Sequence, residues 1–303
     1  VTKTPTAVQI GLVVSAGILA ASSAAILIRL AYASAGVANL GISLLLAAGR
    51  LSLAALALSG GWPRLFRQVA DRRAIALAMG AGVALAIHFA AWISSLAYTS
   101  IAASTVLVTT NPLWVALLGW WWRGDRPRQG LGWAMLLAVV GAVVISSGSS
   151  GSSGSAPLLG NSLALLGAWG VSFYLLLGQT AQQRGLPFAD YLRWVYTTAA
   201  LVLLPLPPLM GVPYQGWPVA VYGWILLLGV VPQLIGHSCI NWGLRWLSPT
   251  LIAFVILTEP LVAGLLGWFL LGEPITLPVV LGGGLILGGV AIALASSSKP
   301  GLD

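Results

Sequence analysis

Apolar residues fill nearly the whole of this chain in stretches of about 20, parted by short polar, glycine- or proline-containing segments. That is the length an α-helix needs to cross the hydrocarbon core of a bilayer, roughly 20 residues. The pattern predicts ten spans, near 9–30, 37–59, 74–97, 99–122, 129–147, 158–183, 188–210, 217–241, 247–271 and 276–296. The strands of a membrane β-barrel would instead alternate apolar and polar side chains over about ten positions. The first stretch has Lys3 ahead of it and Ala-Ser-Ser-Ala at 21–24, flanks that resemble those of a signal peptide. Its apolar run is longer than the roughly 7–15 residues of a signal-peptide core, so it reads as an uncleaved first helix.

The chain also contains itself twice. Displaced by 148 residues, Thr110 to Asp125 (TNPLWVALLGWWWRGD) falls without a gap on Thr258 to Glu273 (TEPLVAGLLGWFLLGE). A threonine, a proline, three leucines, two glycines and a tryptophan coincide, and Asp125 meets Glu273. Repeats in membrane proteins point to transporters and channels, which place a pathway between pseudo-symmetric halves.

Composition agrees with a lipid solvent. Of the 303 residues, 58% are hydrophobic and 7% charged, whereas a soluble domain carries about 25% charged residues. The net charge of +8 resembles a nucleic-acid signature until the bases are placed on the ten-span map. With the N-terminus in the cytoplasm, Lys3, Arg64, Arg67, Arg72, Arg73, Arg123, Arg126, Arg128, Arg184, Arg193, Arg245 and Lys299 all fall at cytoplasmic ends. The opposite side keeps Arg29, and Arg50 sits within a span. The excess of cations is therefore topology, with no nucleic-acid partner implied. It predicts a multi-pass protein of a bacterial-type inner membrane with both termini cytoplasmic. The lone cysteine, Cys239, forms no internal disulfide and supplies no metal cluster.

Five spans per half is an odd number, so the second half must enter the bilayer from the other side. Charge agrees: Arg-Gly-Asp-Arg-Pro-Arg at 123–128 is basic, while its repeat mate Leu-Gly-Glu-Pro-Ile-Thr at 271–276 has no base. The expected organisation is a first five-helix repeat over 1–147, a Gly/Ser-rich external tether over 148–157, and a second, inverted repeat over 158–303. In these features the chain resembles the EamA-type transporters of the drug/metabolite transporter superfamily. The resemblance rests on the proline-centred fourth helix ending in Gly-Asp/Glu: Pro112, Gly124 and Asp125 in one copy, Pro260, Gly272 and Glu273 in the other. It implies an all-α integral membrane fold, ten transmembrane helices in two inverted five-helix repeats around a central cavity built from spans 1, 3, 4, 6, 8 and 9. The amino-acid exporters of the YddG type are the subgroup it is most similar to.

Polar residues at mid-depth mark the interior, because lipid-facing positions need none. Gln233, His237 and Asn241 fall at i, i+4 and i+8 on span 8, a single stripe, read as cavity-facing against the alternative of helix–helix hydrogen bonding. His88, Trp92 and Ser95 share a face of span 3. Span 6 offers Trp169, Ser172 and Phe173, and span 1 offers Ser15, Ser22 and Ser23, with Ser22 and Ser172 similarly placed in the two halves. Most tryptophans suit the membrane interfaces, but Trp92, Trp169 and Trp242 lie deeper, as cavity wall or as core packing. Pro112 and Pro260 each remove a helical hydrogen bond and free the carbonyl of Val108 or Ile256. They are candidate hinges, with Thr109 and Thr258 on neighbouring turns. Glu259 is the acid placed inside a span, where charge must be paired, protonated or hydrated; proton coupling and a structural pairing with Arg50 are both open. Asn111 takes its place in the first half. Gly282 to Gly284, Gly288 and Gly289 offer small faces for close helix packing, with a GxxxG pair at 284 and 288.

These residues predict a secondary transporter exporting small metabolites, amino acids foremost and aromatic ones among them, by alternating access. The partners are a small-molecule substrate and membrane lipid. Efflux of lipophilic cations, with Glu259 as counter-charge, and a passive small-solute channel are the competing readings. No G-x-x-x-x-G-K-[ST] loop is present to bind ATP. No cofactor or metal motif and no catalytic cluster of an enzyme appears.

Overall fold

Helix starts and stops are written locally. Thr6 and Gln9 form a reciprocal capping box ahead of α1 (Ala7–Ser22), satisfying two backbone donors that a helix end leaves open. The chain continues through Ser23 into α2 (Ala24–Ala35), which Gly36 ends in the left-handed conformation at φ 68°, open to glycine without steric cost. The Asn39 side chain then caps α3 (Leu40–Ala57). Asp71 caps α4 (Arg72–Tyr98). The Arg73 backbone N–H, and then the Arg184 guanidinium, hold the Asp71 carboxyl below its ordinary pKa.

The structure is a computed structural model and describes residues 4–61, 71–99, 104, 107–124, 130–147, 156–271 and 277–297. Lys3, Arg64, Arg67, Thr105, Asp125, Arg126, Arg128, Gly272, Glu273, Lys299 and the tether over 148–155 lie outside them. Beyond α4 follow α5 (Asn111–Arg123), α6 (Leu131–Ser147), α7 (Pro157–Gln183), α8 (Phe188–Leu203) and the short α9 (Leu206–Leu209). Then come α10 (Val219–Leu228), a π-helix (Gly229–His237), α11 (Ser238–Gly243), α12 (Pro249–Ile256), α13 (Glu259–Leu271) and α14 (Leu277–Ser297). Among the described residues every element is helical, and six apolar stretches are long enough to cross a bilayer: 7–35, 40–57, 72–98, 157–183, 188–209 and 219–243. They coincide with expected spans 1, 2, 3, 6, 7 and 8. The remaining expected spans, 4, 5, 9 and 10, correspond to α5, α6, α12 with α13, and α14.

Glycines set the helix pairing. A β-carbon at Gly170 would lie 2.8 Å from the His88 nitrogen, and one at Gly167 3.2 Å from Trp92, so α7 touches α4 almost backbone to backbone. The two run antiparallel along their whole length. Arg184 bonds Asp71 at one end (3.2 Å), and at the other Thr99 donates to the Asn161 side-chain oxygen (2.9 Å). The same relation recurs between α1 and the π-helix with α11, where Gly17 meets Cys239, Gly236 meets Ala21 and Gly243 meets Val14.

Two more pairs are also antiparallel. The start of α3 meets the far end of the α8 span, Gly41 against Val212, while its own end meets the start of α8, where Arg193 donates to the Leu58 carbonyl. Gly141 of α6 faces Gly282 and Ile286 of α14, and Gly289 faces Ala134 and Ala138. The contact therefore uses Gly141, Gly282 and Gly289. Of the glycines expected to pack closely, Gly282 and Gly289 do so on α6 and Gly283 meets Leu261, whereas the Gly284 and Gly288 pair faces open space.

Candidate functional site

The fourth and ninth expected spans are broken helices, and the break explains the site. Residues 107 and 108 are helical, Thr109 and Thr110 form a turn, and α5 starts at Asn111 with Pro112 in its first turn. Likewise α12 stops at Ile256, Leu257 and Thr258 turn, and α13 starts at Glu259 with Pro260 next. Proline is at home in a first turn, where its missing N–H bonds nothing anyway. The expected kinks of a continuous helix are thus interruptions. Non-helical backbone at membrane depth is tolerated where it is buried in protein or lines a cavity.

A cavity lies at this level. Its wall includes Val108, Thr109 and Asn111 from one break and Ile256, Glu259 and Pro260 from the other. Ser22 and its neighbours on α1 and α2 contribute, as do Arg50 of α3, His88, Phe89 and Trp92 of α4, Val171 of α7 and His237 of the π-helix. Of the residues singled out from sequence, this cavity brings together Ser22, His88, Trp92, Thr109, His237, Glu259 and Pro260.

The others stand elsewhere, each for a visible reason. Trp169 is 47% exposed and meets Trp114 edge to face at 5.0 Å; with Phe173 it lines an outer apolar recess. Ser172 is buried and donates to the carbonyls of Ala168 (2.7 Å) and Asn111 (3.2 Å). Thr258 spends its hydroxyl on Val255 of its own chain turn (2.7 Å), and Pro112 is outside the lining. The span-8 stripe is divided. Pro232 offers no N–H, and the chain from Gly229 to His237 takes the wider π winding, which spoils the i, i+4, i+8 alignment. Gln233 accepts from Arg50 (3.1 Å). Asn241 is fully buried and knits α11 to α7 and α8: its amide donates to the Tyr174 hydroxyl, and its side-chain oxygen accepts from Tyr191 (3.2 Å). Only His237 of the three reaches the cavity. A π turn of this kind is rare and often found at functional sites.

The sequence reading undervalued Arg50, Phe89 and Asn111. Arg50 is wholly buried, its guanidinium carbon 3.9 Å above the Phe89 ring centre. Phe89 in turn meets His237 edge-on at 5.1 Å. His88 is fixed by an Nδ1–H donated to the Gly167 carbonyl (2.9 Å), and its ring lies parallel to Trp92 at 6.0 Å. Asn111, the mate of Glu259 across the repeat, faces the same cavity, and that alignment was the available signal. Several buried polar atoms here have no hydrogen-bond partner among the described residues: both terminal nitrogens of Arg50, both polar atoms of the Asn111 side chain, the Trp92 indole nitrogen and His237 Nδ1. Buried polar groups are nearly always satisfied, so their concentration around one space leaves it hydrogen-bonding capacity that the helices do not use.

Comparison with known proteins agrees with this architecture. Residues 158–295 match the EamA-like transporter family. An uncharacterized transporter of Archaeoglobus fulgidus is 40% identical over 70 residues, 23% of this chain and 26% of that protein. A second from the same organism is 26% identical over 201 residues, 65% of this chain and 69% of the other. An uncharacterized transporter of Synechocystis is 24% identical over 216 residues, 69% of this chain and 64% of its own length. The alignments thus span from about a quarter to two thirds of these relatives. A crystal structure with 21% sequence identity superposes with a TM-score of 0.72, covering 96% of this chain and 98% of that one, a likeness of fold. The chain is a multi-pass membrane protein whose residues 158–295 are similar to the EamA-like transporter family.

Proposed function

We propose that this protein is a secondary transporter exporting small metabolites, amino acids foremost, through a central site that opens to each side of an inner membrane in turn. The observation that carries the reading is the cavity at the two helix breaks, ringed by unpaired polar atoms from both halves of the chain. Broken helices at the interface of repeats are where transporters bind solute. The ten-span, inverted organisation, with repeats over 1–147 and 158–303, draws support from geometry. The repeat mates α3 and α8 run antiparallel, as do the mates α6 and α14. Helix contacts also occur in exchange-related couples, α4 with α7 and α1 with the π-helix.

Alternating access would bend the chain at the interruptions before Pro112 and Pro260. Glu259, in the cavity wall, is the group suited to carry a coupling proton. Efflux of lipophilic cations is the weaker reading, because a fully buried guanidinium stands in the same wall as that carboxylate. Purified protein in liposomes preloaded with unlabelled amino acids should accumulate the labelled species by counterflow. Absence of counterflow across the amino-acid panel, or ion-like conductance in its place, would refute the proposal.

A further inference from the structure

Arg50 is a cation presented to the cavity with its hydrogen-bonding end unused. Its relative exposure is 0%. Nε donates to Gln233 (3.1 Å), and the planar group rests on Phe89 at 3.9 Å. Those two contacts fix the plane of the guanidinium and leave both terminal nitrogens without a partner among the described residues. The fork formed by these nitrogens matches the two oxygens of a carboxylate. A buried charge held by a ring face and one amide, with its terminal donors unused, is costly to keep. The residue itself is part of the cavity wall.

We infer that Arg50 is the carboxylate anchor of the transport site, so that the solute carries a carboxylate held in a two-point grip by the terminal nitrogens. This rests on the reading of the cavity as a solute site and names the solute's chemistry. Charge balance narrows it further. Among the described residues the wall holds one cation, Arg50, and one acid, Glu259. A solute of zero net charge with one carboxylate and one ammonium leaves that balance intact, whereas a phosphate dianion or a simple amine does not. Asn111, whose amide is also unpartnered, supplies neutral bonds beside them.

The test is ligand binding by the purified full-length protein, read as a shift in thermal unfolding and by isothermal titration. The probes are matched series built on alanine, leucine and phenylalanine: the amino acid, its amide and its decarboxylated amine. In the wild type the acid of at least one series is expected to bind roughly 10- to 100-fold more tightly than its amide, the range of a charge-assisted contact. In Arg50→Gln that ratio is expected to fall to about twofold or less, with no loss of thermal stability in the absence of ligand. Arg50→Lys keeps the charge but not the fork and is expected to retain only part of the preference. An amide that binds the wild type as tightly as its acid, or no binding by any of the acids, overturns the assignment. So does an undiminished preference in Arg50→Lys or Arg50→Gln. Counterflow of amines or amides would sink the anchor and spare the transporter; acid-selective binding without counterflow would do the reverse.

Discussion

Thr110 and Thr258, 148 positions apart, make the same bond. Each hydroxyl donates to the carbonyl three residues back, Leu107 at 2.6 Å and Val255 at 2.7 Å. Each threonine's own carbonyl accepts from the N–H three residues ahead, Leu113 at 3.0 Å and Leu261 at 3.1 Å. The turn before each proline is therefore held by threonine, and the proline's part is to keep the helix from reforming across it. Replacing Pro112 and Pro260 together with alanine restores an N–H that can close on Val108 and Ile256. The double variant is expected to bind solute as before while exchanging it several-fold more slowly. Comparing the counterflow rate with the binding constant checks this; equal losses in both would remove the hinge role.

Glu259 faces the cavity with Arg50. Glu259→Gln keeps the shape and removes the exchangeable proton. Flux driven by a pH gradient is expected to disappear while counterflow at equal pH persists. Retained pH-driven flux would leave the carboxylate a structural part of the wall.

Two tryptophans offer a paired control. Trp92 lines the cavity with an unpartnered indole nitrogen, whereas Trp169 is half-exposed against Trp114. Trp92→Ala is expected to weaken solute binding roughly tenfold, and Trp169→Ala to leave affinity unchanged. Titration of both variants decides it, and a larger effect at Trp169 would relocate the site to the outer recess.

Asn241 ties three helices through Tyr174 and Tyr191. Asn241→Leu is expected to cost about 1–2 kcal/mol of stability and to leave solute preference unaltered, read as thermal unfolding in detergent alongside the acid-to-amide ratio. A changed ratio at wild-type stability would return Asn241 to the pathway.

The orientation of the halves can be read from outside. In otherwise cysteine-free protein, Asp125→Cys is expected to react with impermeant thiol reagents from the cytoplasmic side and Glu273→Cys from the opposite side. Labelling from one shared side would end the inverted arrangement.

Much of this was legible because lipid imposes simple rules. Six long spans and most of the helices around the cavity follow from apolar run length and from polar residues at depth. His88, Trp92, His237 and Glu259 stood out because such side chains are expensive in hydrocarbon. What escaped was angular. A helical wheel presumes an α winding, and Pro232 locally replaces it with a π turn, so Gln233 and Asn241 turn to neighbours instead of the cavity. Arg50 was visible as a cation within a span, but its footing on Phe89 and Gln233 comes from α4 and the π-helix, far away in sequence. In the glycine-rich run at 282–289 several spacings fit a packing motif equally, and only the partner helix α6 selects among them.

The seam between α4 and α7 also constrains how the chain can be divided. It joins the third and sixth expected spans, and at Gly82 the α8 backbone comes equally near, 2.6 Å from where a β-carbon would stand. Cut between residues 147 and 157, each piece would present a groove of bare main chain that lipid tails fill poorly. The two pieces should accordingly be recoverable only when made together, each serving as the other's missing surface.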